Sequence, residues 1–186
     1  MKESLLFKTI QGLKKRAESN CEFIIQARAG NLIPVLCMFN HAANPKKIKS
    51  LEASGLKIPP DFREFLLLHD GATLFSHLEY GGGITLLDIE GILNLYEEYQ
   101  EYLPEGWYPI GFDNEDLLLI DSKKVKTNSK AANYLYWSSL IDLAHNDVID
   151  LKGNFEIWLD RLFMAQGNKY WEWNIYSAET YYITHE

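Results

Sequence analysis

The chain has 186 residues, a length suited to one domain, and its 47% hydrophobic content supplies a core that a disordered chain would lack. Its formal net charge of −8 repels phosphate backbones, which argues against direct nucleic-acid binding and suits either a basic partner or a plain soluble surface. No window approaches the ~20 apolar residues of a membrane span, and Met1–Phe7 has no sustained apolar run or signal-type cleavage site, so a reducing cytoplasm is the expected setting.

In chain order, Leu5 to Ala17 predicts a first helix: Leu5, Leu6, Ile10 and Leu13 lie near one face, and Lys14, Lys15 and Arg16 suit the C-terminal end of its dipole. Phe23–Ile25 and Leu32–Phe39 are rich in strand formers and are joined by turn chemistry at Ala29-Gly30-Asn31. Pro34 is expected to confine the second of them to a sheet edge. Cys21 and Cys37 sit among apolar neighbours and are expected as buried free thiols, with no CxxC pair for zinc.

Asn44-Pro45 opens a second helix, with Asn44 as cap, Pro45 in the first turn and Gly55 to end it. Pro59-Pro60 fixes the entry to a third, in which Phe62, Phe65, Leu66 and His69 recur at helical spacing and Gly71 supplies a left-handed stop. Thr73–Tyr80 and Ile84–Asp88 predict strands around Gly81-Gly82-Gly83. A fourth helix from about Glu90 to Tyr102 places Ile92, Leu95, Tyr96, Tyr99 and Leu103 on one face. Trp107–Gly111 and Asp116–Asp121 form a hairpin across Phe112-Asp113-Asn114-Glu115. Asp121 to Asn133, with Lys123, Lys124, Lys126 and Lys130, predicts a mobile basic loop, followed by strands at Asn133–Ser138 and Asp147–Leu151. The last helix, Asn154 to Gln166, carries Phe155, Trp158, Leu159, Leu162 and Phe163 as an apolar stripe, with Gly167 at its end. The tail holds Tyr170, Trp171, Trp173, Tyr176, Tyr181 and Tyr182, rings that must dock on their own core or on a partner.

Little in this chain points to bond-making. The glycine run Gly81–Gly83 leads into a strand, whereas a phosphate cradle opens a helix. No nucleophile elbow, HExxH or zinc spacing occurs, and His41, His69, His77, His145 and His185 are scattered. His77 reads as a strand residue facing along the pleat. His145 lies near Asp142 and Asp147, which reads as a surface turn or as part of a small hydrolase using His145 with Asp142, for which the hairpin carboxylates are the other candidates. Asp113, Glu115, Asp116 and Asp121 surround the hairpin as a solvated turn, a face for a basic partner, or a cation site without the EF-hand pattern. On the fourth helix Tyr96 and Tyr99 face the core, while Glu97, Glu98, Glu101 and Tyr102 form an exposed strip of the kind that docks proteins. The partner-binding candidates are therefore Glu97, Glu98, Glu101, Tyr102, Asp113, Glu115 and Asp116; no catalytic residue, metal ligand or cofactor is assigned.

A family resemblance runs through these units. Ala42-Ala43-Asn44-Pro45-Lys46-Lys47-Ile48, then Ile58-Pro59-Pro60-Asp61-Phe62-Arg63-Glu64-Phe65-Leu66 with Asp70-Gly71, resembles the opening of SUKH-superfamily (Smi/Knr-like) proteins. Trp107-Tyr108-Pro109-Ile110-Gly111 followed by Asp116–Asp121 is similar to the family's Trp–Ile–Gly hairpin, and Asn154–Gln166 resembles its Phe-rich final helix. Ile58 stands where the family usually has Leu, and Asp113-Asn114-Glu115 lacks the glycines common there, although Asn tolerates left-handed geometry. The resemblance makes Pro59, Phe62, Phe65, Gly71, Trp107, Ile110, Gly111, Phe155 and Leu159 structural motif residues of one domain over 1–186, with its core at about 39–167. It leaves the first forty residues and the aromatic tail unexplained.

What the resemblance implies is an α+β fold, a mixed and mostly antiparallel sheet flanked by helices. It implies a non-catalytic protein-binding domain, in bacteria mostly an immunity protein against a polymorphic or contact-dependent toxin. A regulatory adaptor of the cell-wall and signalling type is the other family role. The expected partner is a protein, a toxin domain, with no nucleic acid or membrane bound and the chain a monomer or weak homodimer.

Overall fold

The computed structural model describes residues 3–17, 21–127, 129–145, 147–173 and 177. Eight strands in chain order make one sheet: β1 (Glu22–Gln26), β2 (Leu32–Phe39), β3 (Ala72–His77), β4 (Ile84–Leu86), β5 (Trp107–Asp113), β6 (Asp116–Asp121), β7 (Leu135–Ser139) and β8 (Ile149–Asp150). Each strand pairs with the next in sequence, and every pairing is antiparallel. The fold is α+β, as the resemblance implied.

Six helices surround the sheet among the described residues: α1 (Leu5–Arg16), α2 (Pro45–Ala53), α3 (Pro60–Leu68), α4 (Ile89–Tyr99), α5 (Leu140–Ala144) and α6 (Phe155–Met164). Most start where a short polar side chain answers a free amide. Ser4, Asn44, Asp88, Ser139 and Asn154 accept from the first turns of α1, α2, α4, α5 and α6. The inner face of the sheet carries the main core. There Phe62 and Phe65 of α3 meet Phe155 of α6 at ring separations of 5.0 and 5.1 Å, and Ile110 and Leu159 are fully buried. The outer face carries a smaller cluster of Leu103, Leu117, Leu119, Tyr136 and Leu143, against which Trp107 stacks on Tyr136 at 4.1 Å.

A buried polar node joins α3 to α6 and β7. Asp61 is wholly buried; its Oδ1 accepts from the Tyr134 hydroxyl at 2.5 Å and its Oδ2 from the Glu156 amide at 3.0 Å. Tyr134 in turn accepts from the Phe155 amide at 2.9 Å. Burial, and then the Asp61 charge, push the phenols of Tyr134 and Tyr108 well above their usual range, so both remain donors. Lys130 closes the rim of the node, 2.9 Å from Glu156 and 3.3 Å from Glu64.

Several expectations are corrected. Pro34 lies in an interior strand. Its carbonyl accepts from Leu78, so its nitrogen faces the side of β3 just past His77, where the ladder has ended and no donor is missed. Cys21 is exposed, while Cys37 is buried and its thiol is pushed up to about 12 chiefly by that burial. His77 is a strand residue as expected, the last of β3 and paired with Val35, and its Nδ1 accepts from the Glu79 amide in the turn. In the stretch after Asp121, Ser122–Lys124 form a short 3-10 turn and three of the four lysines have partners. Lys123 pairs with Glu105, Lys124 bonds the Tyr136 hydroxyl and Lys130 serves the buried node. Gly71 does not stop α3, which ends at Leu68; with φ +89° it lets the backbone pass Leu86, whose carbonyl oxygen would lie 2.8 Å from an added Cβ. Gly111 permits the same approach of β5 to Thr85, at 2.6 Å.

The N-terminal region is integral to the fold. α1 packs on α6, with the Thr9 hydroxyl donating to Asp160 at 2.6 Å. Two side chains guard the outer edge of β1: Arg16 donates to the Ile24 carbonyl and Gln166 accepts from the Gln26 amide, both at 2.9 Å. At the opposite edge β8 is only two residues long.

Candidate functional site

The pleat decides where the candidate acids go. In the β5–β6 hairpin Phe112 pairs with Leu117 and Asp113 with Asp116, so these two pairs point to opposite faces. Asn114, at φ 54°, makes the left-handed turn between them. Asp113 and Asp116 share the inner face with Trp137, and there they are occupied. Lys169 reaches both, at 3.2 and 3.0 Å, and the Trp137 indole donates to Asp116 at 3.1 Å. Burial works against the Lys169 charge, but Asp116 and Asp113 outweigh it and hold its pKa above the usual lysine value. The Trp171 ring packs 4.9 Å from Trp137, so the start of the aromatic tail docks on its own core. Tyr176, Tyr181 and Tyr182 lie outside the described residues.

The outer face of the same hairpin floors a cleft of about 430 Å³. Leu95 and Tyr99 of α4 form one wall, Phe112, Asn114, Glu115 and Leu117 the floor and one end, and Ser139, Leu140 and Ile141 the other wall. The α5 wall exists because Ser139 and Asp142 cap each other: the Ser139 hydroxyl donates to the Asp142 carboxylate at 2.8 Å and accepts from its amide at 3.1 Å. Ile141 is left 67% exposed at the lip. Helical spacing sets Glu98 beside Leu95 and Tyr99 and turns Glu97 toward the far face of α4. The Glu98 charge, and then burial, raise the Tyr99 phenol. Helix α4 ends at Tyr99, earlier than the sequence pattern suggests, so Glu101 and Tyr102 sit in the following turn, with Tyr102 69% exposed.

The seven sequence-predicted binding residues thus separate into three groups. Asp113 and Asp116 are engaged inside the chain. Glu97 lies on the far face of α4, and Glu101 and Tyr102 sit in the turn after it. Glu115 lines the cleft and Glu98 bonds the phenol of Tyr99, a lining residue, and among the described residues no lysine or arginine pairs with Glu98 or Glu115. The residues that sequence reasoning missed are the apolar lining itself, because Leu95 and Tyr99 look like core residues along the helix. The short α5 had one legible signal, the Ser139-x-x-Asp142 spacing of a capping pair.

Hydrolytic chemistry finds little support at the His145–Asp142 pairing, and of the hairpin carboxylates Asp113 and Asp116 are engaged by Lys169. His145 holds its Nδ1 2.8 Å from the Ile141 carbonyl, while the Asp142 carboxylate is bonded to Ser139. Among the described residues no three His, Cys, Asp or Glu side chains converge as metal ligands, and no helix is long and apolar enough to cross a membrane.

Comparison with known proteins agrees with this architecture. The protein YobM of Bacillus subtilis, described as uncharacterized, is 34% identical over 190 aligned positions that cover 97% of this chain and 98% of the relative. YnaB of the same organism, also described as uncharacterized, is 38% identical over 149 positions, covering 80% of this chain and 95% of the relative. The near-complete overlap with YobM takes in most of the α1–β2 region, which the resemblance had left unexplained. The model of the SMI1 / KNR4 family (SUKH-1) matches residues 42–161, from the approach to α2 into α6, and the chain belongs to that family.

Proposed function

We propose that this chain is a non-catalytic immunity protein that binds a cognate toxin domain and blocks it. The observation that carries the reading is the outer-face cleft, an apolar recess flanked by carboxylates with no cation of their own among the described residues. Glu115 lines the recess and Glu98 meets the phenol of Tyr99 beside it, and neither has a lysine or arginine partner among the described residues. Apolar anchors ringed by unneutralised charge give affinity and steering respectively. Membership of the SUKH-1 family supports the same class of role, since the family's bacterial members mostly serve as antidotes. The net charge of −8 favours a basic target, as many nucleases are.

The test is co-expression with the toxin domain encoded beside this gene in its native genome. Protection of the host cell and a stable purified complex are the expected results. A neighbouring product that is harmless, or toxicity undiminished by this chain, removes the reading. The family's adaptor role predicts several housekeeping partners in a pull-down from the native cell in place of one toxin.

A further inference from the structure

We infer that the α4–α5 cleft receives one large apolar side chain from a partner protein, carried on a segment with Lys or Arg on either side of it. This rests on the protein-binding reading above and adds the chemistry of what is bound.

The apolar half of the inference comes from the lining. Leu95, Phe112, Leu117, Leu140 and Ile141 present hydrocarbon, and about 430 Å³ falls in the range of cavities that enclose an inserted group. Their polar neighbours are mostly occupied or acceptors: the Ser139 hydroxyl donates to Asp142, and Glu115 offers only acceptor oxygens as a carboxylate. A guest rich in acceptors would therefore find few donors.

The cationic half comes from the rim. Glu115 in the hairpin turn lines the recess, and Glu98 on α4 bonds the phenol of Tyr99, another lining residue; both carboxylates are exposed, with no lysine or arginine partner among the described residues. On the inner face the opposite arrangement holds, where Lys169 satisfies Asp113 and Asp116. Cations supplied by the guest would complete the outer set in the same way. Exposed Ile141 extends the apolar surface past the lip, where the stem of a long basic side chain can lie.

The experiment is a titration of the isotope-labelled full chain with the pentapeptide Lys-Lys-Trp-Lys-Lys, read by amide NMR shifts. The expected result is saturable movement of Leu95, Tyr99, Phe112, Asn114 and Ile141, weakened as salt rises from about 0.05 to about 0.5 M. Replacing Trp by Ala in the peptide, or its lysines by Glu, should abolish it. In the protein, Ile141→Glu, and separately the double change Glu98→Lys with Glu115→Lys, should raise Kd at least about fivefold while the melting temperature is retained. Shifts outside the cleft, or equal shifts with the Ala peptide, overturn the inference. So does a concentration-dependent dimer that Ile141→Glu dissolves, which would assign the recess to a second copy of this chain. The same variants in the co-expression assay separate the two levels. Wild-type protection that survives both variants sinks the cleft assignment and leaves immunity standing. Loss of protection by wild type itself sinks immunity, while the peptide titration still judges the cleft.

Discussion

The two faces of the β5–β6 hairpin hold acids only a residue or two apart in sequence and treat them in opposite ways. On the inner face Asp113 and Asp116 share Lys169, and deeper in that layer Asp61 is met by a phenol and an amide. On the outer face Glu115, and Glu98 beside Tyr99, have no cation among the described residues. A half-buried charge has lost water and must be compensated within the protein, whereas a charge left at an exposed rim keeps its water. The side of the pleat, and not charge density along the chain, decides which of these acids are satisfied internally.

The sharpest way to break this contrast is at the most buried acid. Asp61→Ala strands the Tyr134 hydroxyl and the Glu156 amide, and should cost about 2–5 kcal/mol in urea unfolding; a loss below about 1 kcal/mol would mean the node is not structural. Next comes Lys169→Met, which leaves Asp113 and Asp116 facing each other half-buried and should cost about 1–2 kcal/mol by the same measurement.

A smaller, pH-dependent effect belongs to His69 beside α1. Burial lowers its pKa first; the bond to the Asn40 carbonyl at 2.7 Å opposes this, and the Lys14 ammonium lowers it further. A depressed folded pKa favours the neutral ring, so its contribution is complete above the ordinary value of 6.5 and is lost as pH falls through the lowered value. Melting curves from pH 7.5 down to 5 should show that loss in the wild type, and His69→Gln should flatten it. Least disturbing to the fold should be Glu98→Gln and Glu115→Gln, each within about 0.5 kcal/mol of wild type, because neither removes an internal cation contact. If either destabilises as much as Lys169→Met, the outer acids are structural after all and the contrast fails.

Local chemistry made much of this fold legible. The Phe62–Phe65 spacing, the cap at Asn44, and the Trp107–Asp121 ribbon all appear where the residues place them, because each depends on neighbours within a few positions. Features set by remote contacts were not legible. Pro34 looked like an edge residue, but the harmlessness of its missing N–H depends on where β3, about forty residues later, stops pairing. The lysines after Asp121 looked loose because Glu64, Glu105 and Glu156, their counterions, are distant in sequence. Of the candidate site, Glu98, Glu115 and Tyr102 were within reach of sequence reasoning. The cleft was not, since Leu95 and Tyr99 obey the same periodicity as true core residues and only the gap between α4 and α5 distinguishes them.

The guarded rims of the sheet set a rule for how this molecule can be gripped. With the Ile24 carbonyl and Gln26 amide already claimed by Arg16 and Gln166, and with β8 too short to act as a template, neither margin invites an extra strand. Fibre-like accretion is checked at both ends, and so is recognition by β-augmentation. Side-chain contact on the faces of the sheet and its helices would draw its selectivity from shape and charge, not from the repeating geometry of the backbone.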